Sequence, residues 1–177
     1  MNSTAQYLMY LSELKKGGGG GGGDDKYKQM LGKLLDKSVK DLEIPDGVLA
    51  IGSYACYQCG SLENVKFSDS VATIYNYAFQ DCVKLALIDL PNVSSIGTVS
   101  FSGCTNLKTI ILRFPYASCN LISTSAFSGT PFASNGSGGK LYVPQNLISE
   151  YQNASNWSTI IGYANNQILA IEGSEYE

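Results

Sequence analysis

Apolar residues recur along this chain in one spacing that repeats about every 23 residues. Each copy opens on an isoleucine, has an aromatic residue or a cysteine five positions later, and then carries a cysteine, a leucine and two more apolar residues. Three copies run in register, over 51–67, 74–90 and 96–112. In solenoids, repeats of this length bury their apolar faces against their neighbours. The pattern therefore predicts a repeat solenoid of short parallel strands stacked about every 23 residues.

Partial copies flank the three complete ones. Residues 42–44 align with the last strand of the first copy, so the array begins with a half-repeat. Beyond the third copy, Ile122 opens a fourth, in which Thr130 takes the cysteine position. A Gly- and Ser-rich insertion, 133–139, then interrupts the pattern and is either tolerated sequence or a recognition loop. We predict repeats over 39–143.

The segments outside the repeats predict an anchor, a linker and two caps. Helical spacing over 1–16 predicts an anchoring helix, and the seven consecutive glycines at 17–23 predict a flexible linker. A second helical pattern over 24–38 predicts the amino-terminal cap. The pattern over 144–172 is that of an amphipathic helix followed by a closing strand, which predicts the carboxy-terminal cap. We expect a frayed tail at 173–177. The anchoring helix carries its apolar side chains on one stripe: Tyr7, Leu8, Leu11 and Leu14.

Composition narrows the function classes. The chain has 177 residues, of which 44% are hydrophobic, enough for one domain with a core. A net charge of −3 without a basic stripe argues against nucleic-acid partners. The absence of histidine removes imidazole catalysis and imidazole metal ligation. No apolar run is long enough for a membrane span, and no signal peptide pattern begins the sequence. We expect a non-enzymatic protein without a cofactor.

The cysteines follow the repeat. Cys59, Cys82 and Cys104 hold one position in successive copies, which predicts an inward ladder of thiols that behave as small apolar groups. A zinc site built from Cys56 and Cys59 with the other thiols is the alternative. Against zinc, a second Cys-x-x-Cys pair is missing. The thiols of a ladder also lie in a line, whereas zinc prefers four ligands in a tetrahedral arrangement. The pattern favours buried free thiols and no metal.

Strand alternation leaves two outward columns of side chains, where a partner could bind. One column holds Glu43, Lys66, Asp89, Ile111 and Tyr142, and the other holds Asn64, Leu87 and Thr109. Within these columns Ile111, Leu87 and Tyr142 are apolar, which predicts an exposed apolar strip of the kind that marks an interface. The alternative is that Ile111 packs under a neighbouring loop. The candidate partner-binding residues are Lys66, Leu87, Asp89, Thr109, Ile111 and Tyr142.

Tyrosines cluster at the turns of the first two copies. Tyrosine gives a large contact area at low conformational cost, which suits recognition of proteins and glycans and also suits a half-buried turn. We expect Tyr57 and Tyr75 to be exposed. The pair that shares one repeat position, Tyr54 and Tyr77, is expected to be half-buried.

The segments 44–55, 74–82 and 101–107 resemble the BspA-type leucine-rich repeats of bacteria. The resemblance covers roughly residues 39–172 and implies a leucine-rich-repeat solenoid with helical caps at both ends. It implies a binding module rather than an enzyme. This repeat class is found in surface adhesins, in host-interacting proteins and in phage virion proteins, so it leaves the partner open.

The order of short helix, poly-glycine run and few repeats is similar to reading frames of phages of gut bacteria. This resemblance implies a virion or tail surface protein that is made in the host cytoplasm and needs no signal peptide. Its expected partners are a protein or glycan on a cell surface and a larger assembly that holds the amino-terminal helix. The alternative is a bacterial adhesion or protein–protein interaction protein of the same repeat family, in the cytoplasm or at the cell surface.

Overall fold

Short parallel strands wind through the part of the chain that this computed structural model describes, residues 37–114, 119–132, 138–163 and 167–177. One side of the coil, the long-strand side, consists of β1 (Asp41–Glu43), β3 (Asn64–Lys66), β5 (Leu87–Leu90), β7 (Thr109–Leu112), β9 (Lys140–Val143) and β10 (Gln167–Ala170). A second side, the short-strand side, consists of β2 (Ala50–Ile51), β4 (Thr73–Ile74), β6 (Ser95–Ile96) and β8 (Asn120–Leu121). The strands of the two sides alternate along the repeats.

Strand pairing follows the repeat. On the long-strand side β1 pairs with β3, and β5, β7, β9 and β10 form a four-stranded sheet in that order, with β3 packed beside β5. On the short-strand side the order is β2, β4, β6, β8. Equivalent residues of successive copies lie opposite each other, as Ile88 and Ile110 do. The predicted solenoid of stacked parallel strands is confirmed.

The third side of the coil, the turn side, carries a ladder of backbone hydrogen bonds although it contains no regular strand within the described copies. The N–H of Cys56 donates to the carbonyl of Ala78 over 2.7 Å. In the next coil, Phe79 donates to Ser100 over 2.7 Å. The coils of β5 and β7 are therefore joined by backbone hydrogen bonds on three sides, which satisfies the polar groups that their burial takes from water.

Two columns of left-handed backbone shape the turn side. Tyr54, Tyr77 and Val99, one repeat apart, have φ of 63°, 61° and 59°. The second column consists of Gln58, Asp81, Gly103 and Gly129. Glycine suits this conformation because it has no Cβ, whereas a β-branched residue such as Val99 is strained in it. The bends on this side thus depend on a backbone conformation that is unfavourable for most of the residues found there.

A stack of phenylalanine rings runs through the core. Phe79 and Phe101 lie parallel with ring centroids 5.2 Å apart, and Phe127 continues the stack 5.5 Å from Phe101. In the first coil Cys56 takes the phenylalanine position, and Phe67, the residue after β3, packs edge-on to Phe79 at 5.8 Å. A ring from the neighbouring column therefore extends the stack beyond Phe79.

The fourth copy differs from its predicted register. Leu121, not Ile122, lies opposite Ile96 and is buried, while Ile122 is 54% exposed. The prediction that Ile122 opens this copy is wrong. A 3₁₀ helix, Thr124–Phe127, takes up the additional residue and returns Phe127 to the ring stack.

The carboxy-terminal cap consists of a 3₁₀ helix, Gln145–Leu147, followed by α1 (Ile148–Asn153) and α2 (Ser155–Tyr163). Its side chains bond the edge of β8 and the residue before it. The indole N–H of Trp157 donates to the carbonyl of Cys119 over 2.6 Å, and the hydroxyl of Tyr151 accepts from the Cys119 N–H over 2.8 Å. The amide of Asn156 donates to the Leu121 carbonyl over 2.6 Å. The cap thus replaces the coil that would otherwise pair with this edge.

The last residues of the sequence are packed, in contrast to the predicted frayed tail. The ring of Tyr176 lies 4.7 Å from that of Tyr142, on the long-strand side. At the other end, the anchoring helix, the glycine linker and the predicted cap helix up to residue 36 lie outside the described residues. Residues 37 and 38 are described and are not helical.

Candidate functional site

The outer surface of the long-strand side brings the predicted partner-binding residues together. Lys66 lies opposite Glu43 in the pairing of β1 with β3. Asp89 lies opposite Ile111, which in turn lies opposite Tyr142. In the second column, Leu87 lies opposite Thr109. Both columns predicted from strand alternation are therefore aligned as expected, because side chains of a strand point alternately to its two faces.

The amino-terminal half of this surface is polar and open. The Lys66 ammonium donates to the Glu43 carboxylate over 3.0 Å, with both side chains more than 70% exposed. This hydrogen bond raises the pKa of Lys66. In the adjacent column the amide of Asn64 donates to Asp41 over 2.6 Å. These pairs cross between coils, and at this exposure they add little to stability, so they are available to a partner.

Asp89 is held by an arginine that the sequence interpretation did not single out. The guanidinium of Arg113 donates to both carboxylate oxygens of Asp89, over 2.8 and 2.9 Å. Two parallel bonds fix the geometry of such a pair. The bond to Asp89 raises the pKa of Arg113. Arg113 follows directly after β7, two residues beyond Ile111, so the alternation that points Ile111 outward was the signal that could have identified it.

The predicted exposed apolar strip is wrong for two of its three residues. Ile111 and Tyr142 are buried, with 1% and 5% of their surface exposed. They form a small separate cluster with Ile171, and Leu87 and Tyr176 pack against it. The physical reason is that residues 171–177, named here the covering segment, fold back over the strip. Thus the alternative, in which Ile111 packs under a loop, agrees with its burial.

The exposed tyrosines lie on the turn side and differ in part from expectation. Tyr54 and Tyr77 stack in parallel with centroids 4.7 Å apart, and Tyr57 meets Tyr54 edge-on. Tyr54 is 40% exposed and Tyr75 is 42% exposed. Tyr57 is half-buried, with the ammonium of Lys37 5.6 Å from its ring centroid. Exposure was therefore predicted for Tyr75 correctly and for Tyr57 incorrectly, while Tyr54 is more exposed than predicted.

The cysteine ladder is confirmed. The thiols of Cys82 and Cys104 donate to carbonyls of the preceding coil, Cys56 and Phe79, over 3.2 and 3.1 Å. All five cysteines are free and buried. The hydrogen bond with Cys104, together with burial, raises the pKa of Cys82, and burial raises that of Cys119. Neutral, buried thiols of this kind are structural rather than reactive.

Among the described residues, no group of three or more His, Cys, Asp or Glu side chains is placed to hold a metal ion. The acids and bases of the long-strand side instead pair with each other across coils. In the same described residues, no helix is long and apolar enough to cross a membrane.

A stacked-strand solenoid with a closing cap, presenting side chains on an outer sheet surface, defines the class of protein. Residues 35–153 match the BspA type leucine rich repeat region in six copies. The chain belongs to the BspA-type leucine-rich repeat family. Repeats of this type form protein-binding or adhesion modules.

The structure of a leucine-rich repeat protein agrees with the family. A leucine-rich repeat protein from Bacteroides ovatus is 30% identical over 76% of this chain, with a TM-score of 0.53. A leucine rich cell surface protein from Faecalibacterium prausnitzii is 22% identical over 62% of this chain, with a TM-score of 0.42. This chain spans 30% and 37% of the lengths of those two proteins. A comparison with curated proteins finds no match.

Proposed function

We propose that this chain is a non-enzymatic binding module of a phage virion or tail surface, where it contacts the host cell surface or another virion protein. The open half of the long-strand side is the observation that supports this role best. Lys66 lies there on β3 and is exposed, and Asp89 lies on the next strand, β5, and is partly exposed. A sheet of this kind presents side chains at fixed spacing over several coils, which suits an extended partner.

The amino-terminal sequence supports attachment to a larger assembly. Residues 1–16 carry the apolar stripe of Tyr7, Leu8, Leu11 and Leu14, and the seven glycines that follow have the composition of a flexible tether. Many tethered copies on one particle would bind together, so individually weak contacts with a protein or glycan would add up. The proposed mechanism is therefore avidity.

Binding through the long-strand side is tested with the full chain coupled to beads in many copies. Lys66→Glu reverses the charge of an exposed side chain of the outer column, and we expect it to weaken attachment to host cells about tenfold, because a partner group that is complementary to lysine would be repelled. Lys84→Glu is the matched control, since Lys84 also pairs with a glutamate, Glu63, over 3.6 Å but is not one of the outer-column residues. Equal attachment of the two variants would contradict the proposed surface.

The virion location is tested separately. We expect mass spectrometry of gradient-purified phage particles from a culture that makes this chain to detect it, and electron microscopy to place it at the particle surface. Its absence from pure particles would contradict the virion role. The similarity to the Bacteroides ovatus protein, at 30% identity, favours a second candidate, a bacterial adhesion or protein–protein interaction protein. Recovery of the chain with cells in phage-free cultures would support that candidate.

A further inference from the structure

The covering segment lies on a strip of sheet that is apolar without it. Leu87, Ile111, Tyr142 and Leu169 lie on β5, β7, β9 and β10 and belong to one apolar cluster on the outer surface of the long-strand side. The buried faces of these strands pack in the main core, so this cluster is independent of it. An apolar strip on the outer surface of a sheet is typical of an interface, and here the chain itself supplies the occupant.

The covering segment makes side-chain and backbone contacts of the kind that a bound peptide makes. The ring of Tyr176 meets that of Tyr142 at 69°, an edge-to-face contact. The Tyr176 carbonyl accepts a hydrogen bond from Arg113 over 2.8 Å. One aromatic ring and one main-chain carbonyl of the segment thus contact two neighbouring coils, those of β9 and β7.

The residues of the repeats that contact the covering segment are held in place by the repeats themselves. Arg113 is already held by two bonds to Asp89, so its guanidinium is oriented without the segment. Lys140 lies opposite Thr109 on the same outer surface and is exposed. Within the described part of the chain Lys140 forms no ion pair. The strip therefore offers one ammonium group and one oriented guanidinium donor beside an apolar surface, which suits an acidic peptide with an aromatic residue.

The covering segment is buried at its first residue and more exposed beyond it. Ile171 is buried and its N–H donates to the Val143 carbonyl, and the Glu172 carboxylate accepts from the Gln145 N–H. From Gly173 onward several hydrogen bonds are internal, such as that from the Gly173 N–H to the Glu177 carboxylate over 2.9 Å. Residues 173–177 contact the sheet through the bond from Arg113 and the ring contact with Tyr142. Because these contacts are few, this part of the segment can open and exchange with a competing peptide.

We propose that this surface is a binding site for an acidic, tyrosine-bearing peptide segment of a partner protein, and that the covering segment occupies the site in cis until that partner displaces it. The proposal rests on the proposed binding function and names the chemistry of its partner. A tethered occupant competes at an effective concentration in the millimolar range. Only a partner that binds tightly, or that carries several copies of such a peptide, would therefore displace the covering segment.

The test uses a fluorescent synthetic peptide with the sequence of residues 171–177. We expect the full chain with Tyr176→Ala to bind this peptide at least about tenfold more tightly than the unchanged chain does, because its own segment no longer competes. The same peptide with its tyrosine replaced by alanine should not bind. Tyr54→Ala, which removes an exposed tyrosine from the turn side, is the matched control and should bind like the unchanged chain.

Two further variants make the result specific. A chain ending at Glu172 should bind the peptide as the Tyr176→Ala chain does. This second opened chain keeps the test valid if the Tyr176→Ala chain fails to fold. Adding Arg113→Gln to either chain should weaken peptide binding about tenfold, since the peptide carbonyl loses a charged donor. Equal binding by opened and unchanged chains, no binding by either opened chain, or self-association of the opened chain without peptide binding would overturn the proposal.

Failure of this proposal is distinguishable from failure of the proposed function. Peptide binding by the opened chains, with no attachment to cells and no chain in virions, would preserve the peptide site and contradict the virion role. Attachment that depends on Lys66, with no peptide binding by the opened chains, would contradict the peptide site alone.

Discussion

At the residue scale, the turn side is built on backbone conformations that L-residues avoid. The left-handed region costs roughly 1 to 2 kcal/mol for an ordinary residue. Three residues one repeat apart, Tyr54, Tyr77 and Val99, adopt it. Hydrogen bonds between coils persist through these bends, for example from the Tyr77 N–H to the Thr98 carbonyl over 3.1 Å. The bend is thus stabilised between coils while each of these residues is strained.

Val99 is the position where this strain is largest, because a β-branched side chain tolerates positive φ least. Val99→Asn is expected to raise the free energy of unfolding by about 1 kcal/mol, since asparagine adopts this conformation more readily. Urea denaturation followed by circular dichroism measures it. Val83→Asn is the control, because Val83 is also a partly exposed turn valine but has no positive φ. No gain, or a larger gain in the control, would contradict the strain.

Residue by residue, the sequence predicts buried positions better than exposed ones. The cysteine column follows from the repeat alone, because each coil must fill the same space. Ile111 and Tyr142 are correctly aligned but wrongly exposed, since nothing periodic marks the polar residues 172–177 as a segment that folds back. Arg113 was missed for a related reason, as it lies just beyond the strand that sets the alternation. The repeat pattern therefore predicts how neighbouring coils pack. It does not predict contacts made by segments that occur only once in the chain.

At the element scale, the carboxy-terminal cap ends the stack by supplying hydrogen bonds as well as apolar cover. An array of strands leaves an unpaired edge at its last coil. Tyr151 and Trp157 bond the N–H and the carbonyl of Cys119, and their rings pack against each other 5.7 Å apart. The amphipathic spacing predicted the helix that carries Tyr151, whereas the bond from Trp157 depends on α2, which was not predicted. A cap is unique to its chain, so the repeat pattern gives no information about it.

The hydroxyl of Tyr151 is expected to contribute measurably to stability. Tyr151→Phe leaves the buried N–H of Cys119 without its acceptor, which should lower the free energy of unfolding by about 1 to 3 kcal/mol. Far-UV circular dichroism in urea measures the change. Tyr77→Phe is the control, because the Tyr77 ring stacks on Tyr54 at the surface. A loss as large in the control would show that the hydroxyl of Tyr151 is not specifically required.

At the scale of the whole molecule, buried weak acids make the fold sensitive to alkali. Burial raises the pKa of Cys56, Cys119 and Tyr151, and the bond with Cys104 together with burial raises that of Cys82. Below about pH 9 these groups are neutral in both the folded and the unfolded chain, so stability is fully present. Above it the unfolded thiols ionise while the buried ones stay protonated. The unfolded state is then favoured as the pH rises.

We therefore expect the free energy of unfolding to be nearly constant from pH 7 to 8 and to fall between about pH 9 and 11. Cys119→Ser should flatten this fall by up to about 1.4 kcal/mol per pH unit, because serine does not ionise there. Cys59→Ser is the comparison, since a hydrogen bond from Cys56 lowers the pKa of Cys59, and its removal should not flatten the fall. An unchanged slope in Cys119→Ser would contradict the prediction.

The ring stack ends on the chain's single tryptophan, and this gives the molecule a spectroscopic reporter at one end. Trp157 is buried in α2 with its ring 5.8 Å from Phe127, the last member of the stack. Its emission therefore reports the environment of the cap and of the coil beside it, whereas circular dichroism averages over all coils. If the array unravels from its amino-terminal coils first, the emission will change later than the ellipticity as urea is added. The separation of the two curves would then measure directly how far cooperativity extends along the array.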